Sequence, residues 1–592
     1  MRDGPSPGTM TSVAREGNRR RAAVGACMLF LALAALSITP LPARAATGFE
    51  ICTTASACLA GKQGGLGGEM RIPSGVAADA AGNVYVADQF NHRIQKFDSD
   101  GNFMRAWGRD VVQGGTDQFE ICVVGVHTCK TGAPGGGAGQ LSLPSGVATD
   151  GTFVYVADFG NDRIQKFGSD GQFLITWGKD VNQGGGTDYE ICNVLTSCKK
   201  GAEGDLGGER HSPYGVATDG SKVYVAERDN DRVQRFDLIG GWERAWGKDV
   251  DSAGGTDFEI CITAGTCQAG DATGGLAGEM DSPVAVAADG AMVYVADSDN
   301  NRVQSFDLDG DPENVWGKAV NADLPGDGFE VCKFASSGDT CQVGALGGLG
   351  GEMGSPRAIA ADGSKVYVAD TFNLRVQRFD SVGGWELAWG KDVNMTLGGT
   401  GFEVCTVASA DVCKAGAAGT LGGEMGGLEG VAAAAGKTFV ADRDNERIQR
   451  FDSGTGAWER AWGKDVFDDP PPPTAGSAAP SNDFTFGKLK RKKKKGIAFL
   501  FVNLPGPGEV GLAGKGVKGF GAGVARASRF YSGGRIKLKI RPGKKGKKAR
   551  RLKRRLRSKG KAKLKVRVTF VPTGGTANTR KRKLKLVQRK PR

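Results

Sequence analysis

The sequence predicts an all-β protein: six four-stranded sheets set radially about one axis, then a small basic β-sandwich-like domain. Three observations carry this. The 592-residue chain holds 95 Gly and only 8% aromatic residues, a glycine share more than twice the usual one, which implies many turns and few long helices. Twelve of its 13 cysteines form six local pairs whose first members lie 70, 70, 69, 71 and 73 residues apart, and each interval repeats one order of segments. Within each interval, runs of four to six apolar residues rich in Val, Tyr, Phe and Ile alternate with Gly/Asp/Asn turns, which reads as four short strands. A lone small catalytic domain and an all-helical fold are excluded.

Taken in order, Arg19, Arg20 and Arg21 precede the apolar run 22–38, and Ala43-Arg44-Ala45 follows Pro40 and Pro42. This layout predicts a secretory signal peptide over 1–46, with cleavage near Ala45. Six units follow within 47–469, at about 48–118, 119–188, 189–257, 258–328, 329–401 and 402–469. In the first, Phe49-Glu50-Ile51-Cys52 opens a Gly-rich loop that ends in Gly68-Glu69-Met70. Strand segments then begin at Pro73, Val84, Arg93 and Phe103. Small residues on the first segment (Gly75, Ala77, Ala78) and bulky ones later (Tyr85, Phe97, Trp107) make each sheet a wedge. Six wedges about an axis form a β-propeller, which leaves only short sheet edges exposed. The units are complete in four-strand phase from Pro73 to Gly463, which predicts ring closure by packing of the sixth blade on the first.

The run P-x-G-V-A-x-D at Pro73–Asp79, then V-Y-V-A-D at Val84–Asp88, N-x-R-[IV]-Q from Asn91, F-D at Phe97 and W-G at Trp107 recurs through residues 73–463. It resembles the NHL repeat, and the resemblance implies a six-bladed propeller. Departures are local: Glu227 replaces the Asp of the second strand in unit three, while unit six has Leu428 for the proline and Ala434 for the following Asp. Some members of this family bind RNA or act in ubiquitin transfer, but no RING-like Cys/His pattern precedes the repeats here. Similar propellers include lyases and lactonases with a metal near the axis, which makes a metal-dependent enzyme with an axial site the alternative reading.

An even cysteine count in an exported chain predicts disulfides, here Cys52/Cys58, Cys122/Cys129, Cys192/Cys198, Cys261/Cys267, Cys332/Cys341 and Cys405/Cys413. Each closes a short loop and adds roughly 2 kcal/mol, so the bridges stiffen loops rather than hold the fold. A repeated trio ends the second strand and opens the third: Asp88/Asn91/Arg93, Asp158/Asn161/Arg163, Glu227/Asn230/Arg232, Asp297/Asn300/Arg302, Asp370/Asn373/Arg375 and Asp442/Asn445/Arg447. Its presence in every unit predicts a structural carboxylate–guanidinium device, with ligand contact as the other possibility. Asp79, Asp150, Asp219, Asp289 and Asp362 end five first strands. They are candidates for an acidic ring holding Ca2+, and turn capping, the favoured reading, explains them as well. The only histidines, His92, His127 and His211, occupy unlike positions, which argues against a His-based zinc site. The cysteine loops are expected to crown one face with the Asp-x-x-Asn-x-Arg turns and to form a partner-binding surface there.

Net charge is +13, but residues 487–592 hold 38 Lys and Arg against a single acid, Glu509. A linker at 470–482, from Pro470 to Pro480, separates this region from the acidic body. Alternating runs around Ile536 and Leu564 predict strands with one apolar and one cationic face in a basic β-domain over 483–592, with Lys544 to Arg557 in loops or at strand ends. Such a surface suits polyanions. Export favours anionic wall polymer or lipid over nucleic acid, and scattered aromatics argue against single-strand recognition. The expectation is a non-catalytic binding or scaffold propeller at a bacterial cell surface, tethered by its tail, with a protein or glycan ligand on the propeller's loop face.

Overall fold

The computed structural model describes residues 48–324, 326–467, 483–492, 497–505, 508–514, 517, 529–531, 534–542, 547–572 and 578–588. The expected signal peptide and the expected linker lie outside them. Residues 48–467 form six antiparallel sheets, each a sequential meander of five strands. The chain is therefore a six-bladed β-propeller, with one more strand per blade than the four expected from the repeats. In blade one the strands are Pro73–Ala78, Val84–Asp88, Arg93–Phe97, Phe103–Arg109 and Phe119–Val123. The fifth is the Phe-Glu-Ile-Cys segment that opens the next sequence unit. It pairs with the Trp-bearing fourth strand through Cys122↔Ala106 and Glu120↔Gly108.

This offset decides how the ring closes. Blade six supplies only four strands from the C-terminal side, and the N-terminal strand Phe49–Cys52 becomes its fifth, with Phe49 opposite Lys464 and Cys52 opposite Ala461. Closure is thus by a shared strand, which corrects the expectation of packing alone. Without it the Trp-bearing fourth strand of blade six would be left as the sheet edge, and the N-terminal strand pairs its backbone groups as the fifth strand does in the other blades.

The wedge shape follows from side-chain size. At the axis, first strands lie so close that Gly75 N–H donates to Ser145 O at 2.8 Å. A Cβ on Gly75 would come within 2.4 Å of that oxygen, so glycine is required by close approach. Further out, fully buried tryptophans (107, 177, 246, 316, 389 and 462) fill the space between blades. Trp107 meets Tyr85 of its own blade edge-on at 6.4 Å and Phe167 of the next blade at 5.9 Å. The same contact joins Phe97 of blade one to Trp462 of blade six at 5.9 Å, so the aromatic layer is continuous round the ring.

The tail forms two sheets. One has the strand order Thr485–Lys492, Ile497–Leu504, Gly534–Ile540, and the other Arg529–Tyr531, Gly508–Gly514, Lys561–Pro572, Asn578–Val587. Leu500, Val502, Leu538, Val566, Val568 and Phe570 share one core, which makes the domain sandwich-like. Residues Lys547–Lys559, expected in loops or at strand ends, form a 13-residue helix instead. The reason is the spacing of Ala549, Leu552 and Leu556, all buried, which places an apolar stripe on one helical face.

Candidate functional site

The register of blade one runs Pro73↔Asp88↔Arg93↔Gly108↔Glu120, so these residues share one face of the ring. Arg93 is fully buried, and each of its five N–H donors has an acceptor. Nε donates to Asp88 Oδ2 at 2.8 Å, and the terminal nitrogens donate to the carbonyls of Gly65, Lys130, Leu66 and Glu69. Asn91 and Gln95 add bonds to Asp88. The trio therefore pins the Gly-rich segment that crosses the face and the residue after the next cysteine turn. Arg163, Arg232, Arg302 and Arg375 make the corresponding bonds, and Arg447 takes Leu59 O from the N-terminal segment.

The asparagines of the other trios are equally committed. Asn161, Asn230, Asn300, Asn373 and Asn445 are buried, and the Nδ2 of each donates to the carboxylate of its own trio: Asp158, Glu227, Asp297, Asp370 and Asp442 in turn. The same nitrogen also donates to the carbonyl of Gly135, Gly204, Gly274, Gly347 or Gly419 in the Gly-rich segment of its blade. The guanidinium and amide N–H groups of these trios are directed into the protein and bond its own backbone and carboxylates.

The five aspartates sit elsewhere, on the opposite face, each in its own hairpin turn. Asp79 accepts from the backbone N–H of Ala81 and Asn83, Asp150 from Thr152 and Phe153, Asp219 from Ser221 and Lys222, Asp289 from Ala291 and Met292, and Asp362 from Ser364 and Lys365. Tyr224 and Tyr367 donate their hydroxyls to Asp219 and Asp362 at 2.9 Å, and burial pushes those hydroxyls above the usual tyrosine range. Among the described residues no group of three or more His, Cys, Asp or Glu is placed to hold a metal ion.

Six disulfides are formed, Cys52–Cys58, Cys122–Cys129, Cys192–Cys198, Cys261–Cys267, Cys332–Cys341 and Cys405–Cys413, with Cα separations of 5.5 to 5.7 Å. Their turns do not crown the axis, which corrects the expected placement. Cys122 lies beside Ala106, the middle of the fourth strand. The second cysteine of each pair forms an isolated bridge to the segment just past a fourth strand: Cys129 to Val112, Cys198 to Asn182, Cys267 to Asp251, Cys341 to Asn321 and Cys413 to Asn394, while Cys58 bridges to Phe467 of blade six. The stapled turns therefore line the outer circumference. The reason is the fifth strand, which carries the chain outward and back along the blade before the turn.

Two recurring contacts escaped sequence reasoning. The Glu of each F-E-[IV]-C or Y-E-I-C segment accepts a backbone N–H from the loop that follows the fourth strand, as Glu120 does from Val112 and Glu50 from Phe467. The residue between Asn and Arg of the trio sits at positive φ, and in five blades its side chain accepts from the next blade's backbone. His92 Nδ1 takes Leu143 N–H, Asp162 takes Ser212, Asp231 takes Ser282, Asn301 takes Ser355, and Glu446 of blade six takes Ile72 of blade one. Burial, with the neighbouring Arg71, holds the His92 pKa down, which keeps the ring a neutral acceptor. The signal for both was a polar residue kept in register through the repeats.

The axial channel encloses only about 50 Å³. At its mouth on the trio face, one side carries a polar cluster: buried Glu429 accepts from Tyr214 Oη at 2.6 Å, Arg357 at 3.3 Å and Arg443 at 3.2 Å. The tail carries a cleft of about 1070 Å³ between the helix and the strand Lys561–Pro572. Seven cations line it, namely Lys548, Arg551, Arg555, Lys563, Lys565, Arg567 and Lys581, with Leu552 and Leu564 between them.

The blade count, the shared-strand closure and the repeated trio define a propeller built from one recurring motif. Residues 70–97 match the family model of the NHL repeat, and the motif that recurs through the six blades is similar to that repeat. It is similar to RING finger protein nhl-1 of Caenorhabditis elegans, 32% identical over 98 residues, which is 17% of this chain and 8% of that protein. Protein lin-41 of the same organism is 50% identical over 44 residues, 7% of this chain and 4% of that one. The chain thus spans less than a tenth of the length of either relative. Among solved structures, virginiamycin B lyase from Staphylococcus aureus aligns over 71% of this chain and 97% of its own, at 9% identity and a TM-score of 0.31.

Proposed function

We propose that the chain is an exported, non-catalytic binding propeller, held at the cell envelope by the attachment of its basic tail to anionic polymer. One observation carries the tethering: the outer face of the four-stranded tail sheet sets like charges directly opposite one another. Lys563 faces Lys585, Lys565 faces Lys583, and Arg567 faces Lys581. Such cross-strand pairs destabilise a sheet. A polyanion lying on that face would relieve the repulsion, which gives the arrangement a purpose. Export is supported by six disulfides, which persist in oxidising compartments. The axial mouth, with Arg357 and Arg443 partly exposed around Glu429, is the place for a protein or glycan ligand.

The test is sedimentation of the full chain with isolated envelopes of the source organism. Co-sedimentation at low salt and release at molar salt is the expected result, because counterions screen such contacts. A chain that stays in the supernatant at low salt would overturn the tethering.

A further inference from the structure

We infer that the cleft between the tail helix Lys547–Lys559 and the strand Lys561–Pro572 is a binding site for a linear phosphate polymer. The inference rests on the tethering reading for the polymer's source, and on the cleft itself for its chemistry. Residues 548, 551 and 555 share one helical wall, and 551 and 555 stand about 6 Å apart along the helix axis. Residues 563, 565 and 567 alternate along the other wall at about 6.7 Å. Regular charge on two walls suits a chain with regularly spaced anions rather than one compact anion.

The lining excludes other readings. Besides the seven cations, its lining among the described residues is Ala513, Leu552 and Leu564, so among those residues no aromatic ring is present to stack a base or a sugar and no amide or hydroxyl side chain to read one. Recognition is left to charge and to the guanidinium forks of Arg551, Arg555 and Arg567, which match phosphate oxygens in pairs. Among the described residues no carboxylate pairs with any of the seven. The tail ion pair of Arg580 with Asp483 lies elsewhere. The helix also carries like charges four residues apart, Arg551 with Arg555, an arrangement that weakens an isolated helix and that a bound phosphate chain would neutralise.

The experiment measures binding of the full chain to inorganic polyphosphate across salt concentration, with oligo-dT and polygalacturonate as comparison chains. Arg551→Gln/Arg555→Gln is compared with Lys488→Gln/Lys490→Gln, an equal loss of exposed charge on the other tail sheet. Wild type is expected to bind polyphosphate most tightly. The arginine pair should weaken it about tenfold and lower the log–log salt slope by about 1.4, as for loss of two contacts to a single-stranded phosphate chain, while the lysine pair stays within about twofold. Thermal unfolding of the arginine variant should be unchanged or higher, which separates lost contact from lost fold. Equal weakening by both pairs, or tighter binding of polygalacturonate or oligo-dT, overturns the inference. A wild-type chain that sediments with envelopes but ignores polyphosphate overturns it too and leaves the tethering standing. Binding of polyphosphate through the arginines without envelope sedimentation would sink only the tethering.

Discussion

Arg163 commits all its donors to Asp158 and to the backbone carbonyls of two crossing segments. Arg163→Ala strands a buried carboxylate, so we expect a loss of about 3–5 kcal/mol in denaturant unfolding. Arg210 is the opposite case. It occupies the position of Met70, Met280, Met353 and Met425, fully buried against Phe236 at 4.5 Å, with one bond, from Nη1 to Trp177 O. Burial pulls its pKa down to about 10. Arg210→Met should therefore raise stability by about 1–3 kcal/mol in the same assay. Burial also pushes Asp231 up to about 7, helped by Asp281 and Asp297. A carboxyl raised in this way favours the folded state while protonated, and the benefit fades as pH rises from 3.8 toward 7. Asn301 shows that an amide makes the same clasp. Asp231→Asn should hence stabilise the protein by about 1 kcal/mol at pH 8, discounted for solvent screening, and by nothing measurable near pH 4. The trio was legible because charged residues recur at fixed spacing. The meaning of Arg210 was not, since only the packed structure shows which aromatic rings it faces.

At the scale of elements, the first four strands of each blade were plain from apolar runs between Gly/Asp turns. The fifth was hidden because Phe119–Val123 is short and flanked by glycine-rich loops, and its partner strand lies before it in sequence. Its alternation is present all the same: Phe119 and Ile121 pack on the core cluster between blades, while Glu120 caps a loop. The tail helix was missed for a related reason. Thirteen residues so dense in Lys and Arg read as a solvated charge run, and the stripe of Ala549, Leu552 and Leu556 becomes decisive only with a core to receive it. The disulfides act locally, each across a separation of six to nine residues. Cys122→Ser/Cys129→Ser should lower protection of residues 112–130 in hydrogen exchange by roughly 2 kcal/mol and leave other blades unchanged.

For the whole molecule, the repeat offset means that the last blade depends on the first described residues of the chain. Pairing of Phe49–Cys52 with Trp458–Lys464, the bond from Arg447 to Leu59, the clasp of Glu446 on Ile72 and the contact of Phe97 with Trp462 all join the two ends of the ring. Hydrogen exchange on a chain beginning at Lys62, compared with the full chain, tests that closure most directly. Shared-strand closure predicts that 437–464 loses protection by a factor on the order of 100 while blades two to four keep theirs. Unchanged protection across 437–464 would contradict it.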